Sequence, residues 1–145
     1  MPELRIPPLL LDTHIWIWAM DGRGGEMSAA ALEAVHAASA RGGLLVSAIS
    51  AWEVAMLQAK GRLRLGMDTA EWVRRALAAP GVRVAELTPQ VAVDSAELPG
   101  EVHGDPADRI LMATARQTGA TLVTRDGRIL DYARSGYLAV LDATP

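Results

Sequence analysis

Four acidic residues are spaced so that a folded sheet would bring them together: Asp12, Glu53, Asp108 and Asp126. Asp12 and Asp126 each end an apolar segment that is typical of a buried strand. The sequence pattern places Glu53 in the first turn of the helix after strand two and Asp108 in the first turn of the helix before strand four. In open parallel sheets, sites form at the carboxyl ends of strands, near the point where strand order reverses. If strands one and four are neighbours, we expect the four carboxylates to meet at one edge.

Unless the acids share protons, such a cluster needs a cation. Two bare carboxylates about 4 Å apart repel by roughly 4 kcal/mol at an effective dielectric of 20. Because the ligands are all oxygen and the chain has no cysteine, Mg²⁺ or Mn²⁺ is favoured. Such ions lower the pKa of a bound water, stabilise a departing oxyanion and hold a phosphodiester. The pattern therefore indicates a metal-dependent nuclease. Asp105 precedes Asp108 by three positions, so a helix starting there would place both acids on neighbouring faces.

Helix capping is the alternative explanation for most of these acids. Ser50 and Glu53 have the spacing of a capping box. Asp105 is a candidate N-cap residue with Pro106 after it, and Asp126 is suited to cap the next helix. Asp12 has no such duty that the sequence reveals, so the joint pattern favours chemistry over capping.

The other polar and aromatic residues give weaker signals. The three histidines, His14, His36 and His103, lack zinc-ligand spacing and are expected in loops or on the surface. Arg109, Arg125 and Arg128 are expected near the site, either holding phosphate or solvated. Trp16 and Trp18 lie two apart on one predicted helix and so face different directions. One is expected in the core, and the other is expected to be exposed for a partner.

Composition restricts the class of protein. The chain has 145 residues, half of them apolar and 21% charged, which fits one ordinary globular domain over 1–145. The net charge is −3, so a polyanion would have to be held by local arginines and bound cations. Without cysteine, disulfides and zinc-thiolate sites are excluded. No segment approaches the roughly 18 apolar residues of a membrane span, and the expected compartment is the cytoplasm.

Strand-like and helix-like segments alternate along the whole chain. Strands are predicted at 9–11, 44–46, 82–87, 121–124 and 138–141. Helices are predicted at 13–20, 28–40, 51–60, 68–79, 90–98, 106–117 and 127–135. Short apolar strands separated by helices predict a three-layer α/β/α sandwich around a central parallel sheet of about five strands.

Four sequence blocks resemble a known family, the PIN domain, and in particular the VapC-type toxin ribonucleases of bacterial toxin–antitoxin pairs. The blocks are Leu10-Leu11-Asp12-Thr13-His14; Ser50-Ala51-Trp52-Glu53-Val54-Ala55 with Gly61-Arg62-Leu63; Asp105-Pro106-Ala107-Asp108-Arg109 with Ile110-Leu111-Met112-Ala113; and Leu122-Val123-Thr124-Arg125-Asp126. They occur in the family's order and spacing over residues 9–141. Each block alone is weak, whereas the four together are specific.

The resemblance implies a PIN-like sandwich and hydrolysis of RNA with a divalent metal. It implies that Asp12, Glu53, Asp108 and Asp126 bind the metal, that Asp105 is auxiliary, and that Thr13 and Thr124 support the site by hydrogen bonds. It also implies a cognate antitoxin as partner, a homodimer and a toxin–antitoxin hetero-oligomer. The apolar early helices, with Trp16 and Trp18, are the expected surface for such partners.

The chain departs from the resemblance at two positions. Many relatives carry a lysine one turn after the glutamate, where this chain has Leu57, and Lys60 follows further along. If that lysine touches substrate, RNA handling differs here. The third block has Ala107 where an aromatic residue is common, which alters packing.

Three other functions are weighed against a nuclease. A haloacid dehalogenase-type phosphotransferase needs a second Asp two residues after the first, where this chain has His14. A response-regulator receiver needs an acceptor Asp at a mid-chain strand end, where strand two ends near Ser47. A non-catalytic PIN-like module that binds RNA or protein would be marked by a missing acid, and all four are present.

Overall fold

The computed structural model of the protein describes residues 6–145, so the first five residues of the predicted domain lie outside the described residues. Five strands alternate with helices along this part of the chain: β1 Leu9–Leu11, β2 Leu44–Ser47, β3 Val82–Ala85, β4 Thr121–Thr124 and β5 Val140–Asp142. The helices are α1 Thr13–Met20, α2 Ala29–Ala40, α3 Ala48–Ala59, α4 Thr69–Leu77, α5 Pro89–Ala96, α6 Pro106–Thr118 and α7 Gly127–Ala133. A short 3₁₀ turn, Gly24–Glu26, precedes α2.

All strand pairs in the sheet are parallel, in the order β3-β2-β1-β4-β5. The central pair is β1 and β4, in which Leu11 lies opposite Val123. From β1 the chain builds outward to β2 and β3, and β4 then returns to the other side of β1. The strand order therefore reverses between β1 and β4, which is where such sheets form their sites. The predicted parallel α/β sandwich of five strands is confirmed.

Strand alternation divides the apolar side chains between the two faces of the sheet. Leu9 and Leu11 pack with α1, α2 and α4 on one face. Leu10 points to the opposite face and packs with α5, α6 and α7. Every residue of β1 is buried, as expected for the central strand of a sheet covered on both faces. The end of β1 is consequently held in a fixed position.

The third helix begins three residues earlier than predicted. Its N-cap is Ser47, the last residue of β2, whose Oγ accepts a hydrogen bond from the backbone N–H of Ile49 at 3.2 Å. Ser50 therefore lies inside the helix, and the predicted capping box of Ser50 and Glu53 is wrong. Glu53 lies in the second turn of α3 and not in the first. Ser47 and Ser50 are both good N-cap residues, so residue type does not distinguish them. The helix begins after Ser47 because β2 ends there.

Most other element boundaries match within a few residues. Ser28 is the N-cap of α2, with its Oγ accepting from the N–H of Ala31 at 3.1 Å. Strand β3 ends at Ala85, short of the predicted 87, and β5 runs over Val140–Asp142 where 138–141 was predicted. Leu138 is buried against the second face of the sheet without belonging to the strand. Within residues 6–145, no helix combines the length and apolar character needed to cross a membrane.

Gly81 lies in the turn between α4 and β3, against the end of α2, and its substitution tests this turn. Its φ is +81°, and a Cβ at this position would lie 2.1 Å from the carbonyl oxygen of Ser39. Gly81→Ala should therefore lower the free energy of unfolding. The backbone strain alone contributes about 1 to 3 kcal/mol, and the clash adds to it. Gly25→Ala is the matched control, because a Cβ there meets nothing within 4 Å. Urea unfolding measures both, and equal stability of the two variants would contradict the clash.

Candidate functional site

Asp12 joins the ends of the two central strands. Its backbone N–H donates to the carbonyl of Val123 at 3.0 Å. Its side chain accepts hydrogen bonds from the N–H of Thr13 at 2.7 Å and from Oγ1 of Thr124 at 2.6 Å. Asp12 is also the N-cap residue of α1, so the expectation that it has no structural duty is wrong. The same carboxylate caps a helix and is fixed against β4.

Glu53 lies inside a helix and has no capping duty. It lies on α3, and its Oε1 accepts a hydrogen bond of 2.6 Å from Oγ1 of Thr13. The Thr13 hydroxyl also lies 2.8 Å from Oγ of Ser50. Thr13 and Ser50 are 1% and 0% exposed, so this chain of hydroxyls is a built feature of the interior. It ties Glu53 to the residue that follows Asp12.

Asp108 lies at the start of α6, where Asp105 is the N-cap and accepts from the N–H of Asp108 at 3.0 Å. Oδ2 of Asp108 lies 2.9 Å from Nε2 of His103 and 3.9 Å from a guanidinium nitrogen of Arg128. His103 was expected only in a loop or on the surface. A position in a Gly/Pro-rich loop five residues before an acid carries no spacing signal, so only the folded loop reveals this contact.

Asp126 follows β4 and begins α7. Its Oδ1 accepts hydrogen bonds from the N–H groups of Arg128 at 2.8 Å and Ile129 at 3.3 Å. Its own N–H donates to Oγ1 of Thr124 at 3.0 Å. The Thr124 hydroxyl thus contacts the carboxylate of Asp12 and the backbone N–H of Asp126, the acids that follow the neighbouring strands β1 and β4. The N-cap interpretation of Asp126 is confirmed, and it coexists with a position beside Asp12.

Burial and mutual repulsion make several of these acids hard to ionise. Burial raises the pKa of Asp12 from 3.8 to about 6, with a further rise from the charge of Asp108 and a partly offsetting hydrogen bond from Thr124. Burial also raises the pKa of Glu53 from 4.5 to about 7, against the hydrogen bond from Thr13 and helped by the nearby acids. The pKa of Asp108 rises for the same first reason. Negative charge at this edge is therefore poorly compensated by the protein.

The acids lie at one edge without converging on one point. Among residues 6–145, no three acidic or histidine side chains are close enough together, as placed, to hold a metal ion. Because bare carboxylates repel one another, each acid has turned an oxygen toward a local donor. Those donors are Thr13 and Thr124 for Asp12, Thr13 for Glu53, His103 for Asp108, and the start of α7 for Asp126. An all-oxygen donor set with raised pKa values fits a hard divalent cation.

The three arginines predicted near the site have different environments. Arg109 is a scaffold residue, because its guanidinium donates to the carbonyls of Ser95, Ala96, Val102 and His103. It fixes the loop before α6, and the expectation that it binds phosphate is not supported. Arg128 is the one of the three in ion-pair range of site acids, 3.9 Å from both Asp108 and Asp126.

Arg125 lies beside Trp18. Its guanidinium carbon is 5.0 Å from the centre of the Trp18 ring, and one of its nitrogens donates to the carbonyl of Glu26 at 2.8 Å. Trp16 is fully buried and Trp18 is partly exposed, and both pack with the core on the first face of the sheet. An open cavity of about 330 Å³ lies here, lined by Asp12, His14, Ile15, Trp18, Arg125 and Asp126.

The fold and the acid-lined edge define a class of protein. The PIN domain model matches residues 9–135, and this chain belongs to the PIN domain family. The resemblance recognised in the sequence is thereby confirmed.

Two kinds of relative can be compared with the chain. It is 37% identical over 121 residues to Ribonuclease VapC22 of Mycobacterium tuberculosis, a match that covers 83% of this chain and 88% of that protein. Its fold is similar to that of a chain in VapBC2 from Rickettsia felis, solved with a promoter DNA fragment, with a TM-score of 0.66 and 15% identity, covering 93% of this chain and 98% of that one. A chain of DNA-bound VapBC from Salmonella typhimurium gives a TM-score of 0.65 at 15% identity, covering 94% and 98%. These structures share the fold.

The raised pKa values predict how stability depends on pH. Asp12 and Glu53 bind protons more tightly in the folded protein than in the unfolded chain, so folding is favoured at low pH and opposed as they ionise. In EDTA, their contribution to the free energy of unfolding should therefore fall as pH rises from about 4 to about 7, by roughly 2 kcal/mol for Asp12.

Urea unfolding at pH 4.5 and pH 7 measures this change. Asp12→Asn is the control, because an amide at position 12 does not ionise and should flatten the pH dependence. If wild type and Asp12→Asn show the same change with pH, ionisation of Asp12 is not opposed by the fold.

Thr124 provides a second test of the site. Thr124→Val keeps the shape but removes the donor to Asp12 and the acceptor for the N–H of Asp126. Because buried polar groups then lose partners, the free energy of unfolding should fall by about 1 to 3 kcal/mol. Thr124→Ser retains the hydroxyl and should lose clearly less. Thermal or urea unfolding compares them, and equal losses would show that the hydroxyl contacts contribute little.

Proposed function

We propose that this chain is a divalent-metal-dependent endoribonuclease that hydrolyses RNA phosphodiesters. The observation that carries the proposal is the placement of four acids at the carboxyl edge between β1 and β4, with three of their pKa values raised. The 37% identity to a ribonuclease over most of both chains supports RNA as the substrate. One domain spans 1–145 in this proposal.

The proposed ligands are Asp12, Glu53, Asp108 and Asp126, with Asp105 as an auxiliary acid. Mg²⁺ or Mn²⁺ bound there would supply an activated water and stabilise the negative charge that develops on the phosphoryl oxygens and on the leaving oxygen. Thr13 and Thr124 orient the carboxylates of Glu53 and Asp12, as the 2.6 Å hydrogen bonds support. Such outer contacts fix the direction in which ligand oxygens point.

Two basic residues at the site have separate tasks in this proposal. His103 holds Asp108 in place through its 2.9 Å contact. Arg128 lies within 3.9 Å of two site acids, where it lowers their mutual repulsion and faces an incoming phosphate. Because the net charge of the protein is −3, local arginines such as Arg128 are needed to retain RNA.

The biological role that we propose is that of the toxin in a type II toxin–antitoxin system, acting in the cytoplasm. The partners would be a cognate antitoxin and a second copy of this chain, assembled as a toxin–antitoxin hetero-oligomer, and the likeness of the fold to chains of VapBC complexes supports this proposal.

Cleavage of a mixed cellular RNA pool by the purified protein tests the activity. With Mg²⁺ or Mn²⁺ we expect discrete cuts, and with EDTA none. Asp12→Asn should cut at least about 100-fold more slowly, because the substitution removes a charged ligand while its amide still reaches Thr13 and Thr124. Asp131→Asn is the matched control with unchanged activity, since Asp131 is 74% exposed and pairs with Arg134.

Two outcomes would contradict the proposal. Cutting by Asp12→Asn at the wild-type rate would remove Asp12 from the site. Absence of cutting together with absence of metal binding by calorimetry would favour a non-catalytic PIN-like module, in which the acids serve as helix caps. Capping by Asp12, Asp105 and Asp126 is the specific observation that favours this second candidate.

A further inference from the structure

We infer that the cavity beside Asp12 and Asp126 is a subsite that stacks one unpaired nucleobase of the RNA, with Trp18 and Arg125 as the stacking surface. This inference rests on the proposed function and specifies how the substrate is held. It makes Trp18 and Arg125 binding residues, separate from the acids.

The position of the cavity selects its occupant. Asp12 and Asp126 form part of its wall, and these acids are the proposed place of phosphodiester hydrolysis. A nucleotide that adjoins the reacting phosphate must therefore occupy space next to them. The cavity of about 330 Å³ is at the small end of ligand pockets, which suits one base and its ribose better than a longer segment.

The wall of the cavity has the chemistry that a base requires. Trp18 is partly exposed and carries the Arg125 guanidinium over its ring, so the two side chains form one stacked surface, and Ile15 adds an apolar side chain to the wall. The Arg125 guanidinium, 5.0 Å from the ring centre, is a planar cation that stacks on bases and attracts phosphate. Unpaired RNA bases are bound in this way, on aromatic rings and on guanidinium planes.

The two stacking groups are held in position before any ligand arrives. Arg125 is tethered to the carbonyl of Glu26 at 2.8 Å and lies 3.4 Å from its carboxylate. The ring of His14 lies 5.7 Å from that of Trp18, tilted by 46°. Because the side chains are already ordered, less conformational entropy is lost when a base stacks on them. Stacking tolerates different bases, so this subsite selects unpaired over paired nucleotides more strongly than one base over another.

Binding of two short probes tests the subsite. The probes are a fluorescein-labelled adenosine octamer and a ribose octamer of the same length without bases, both measured by anisotropy in Ca²⁺, with a gel to show that the RNA stays intact. Wild type should bind the adenosine octamer about tenfold more tightly than the abasic one. Adenosine should also quench tryptophan fluorescence.

Substitutions at Trp18 then separate stacking from packing. Trp18→Leu keeps an apolar side chain but has no aromatic face, so the ratio of the two affinities should fall to about one. Trp18→Tyr should retain most of the ratio, and thermal unfolding confirms that each variant is folded. Trp52→Leu is the matched control, because Trp52 is an exposed tryptophan that does not line the cavity, and it should behave as wild type.

The outcomes distinguish this inference from the proposed function. If wild type cuts RNA but Trp18→Leu keeps the full affinity ratio, the stacking subsite is wrong and the nuclease stands. If Trp18→Leu keeps the affinity ratio and loses only the binding of a protein partner, the stacking subsite is also wrong. That result would assign this face to the partner. If wild type neither cuts nor binds RNA, both ideas fail.

Discussion

The parallel pairing of β1 with β4 is the constraint on which the site depends. It brings residue 12 beside residues 123 and 124, although more than one hundred positions separate them in the chain. The pairing places Asp12 and Asp126 at adjacent strand ends, where the strand order reverses. The three buried leucines of β1 make it the central strand, because a segment apolar on both faces is stable only when helices cover both.

Around this pairing, two buried hydroxyls organise the acids. Thr124 contacts Asp12 and Asp126, and Thr13 contacts Glu53 and Ser50. These hydrogen bonds lower the cost of burying carboxylates without cancelling it, so the pKa values of Asp12 and Glu53 stay high. The uncompensated negative charge of these acids therefore costs local stability, at the place where the proposed cation would bind.

Capping and chemistry are compatible uses of the same residue. Asp12 and Asp126 each begin a helix with one oxygen, and a carboxylate has further lone pairs for another ligand. The sequence leaves open whether each acid, taken alone, caps a helix or binds a ligand. One carboxylate can do both. Glu53 is different, because it lies in the second turn of α3 and has no capping role. Its position inside the helix strengthens the argument for a functional cluster.

The alternating elements, the parallel class of sheet and the four candidate acids could be predicted from the sequence, because hydrophobic periodicity and strand-end positions are set by neighbouring residues. The tertiary structure fixed where α3 begins, that Arg109 donates to carbonyls of α5 and of the loop before α6, and that His103 contacts Asp108. It also decided that Arg125 lies against Trp18, over one hundred residues away in the chain. These features depend on which strands are neighbours and how loops pack between them, and contacts between distant residues leave no periodic signal in a single sequence.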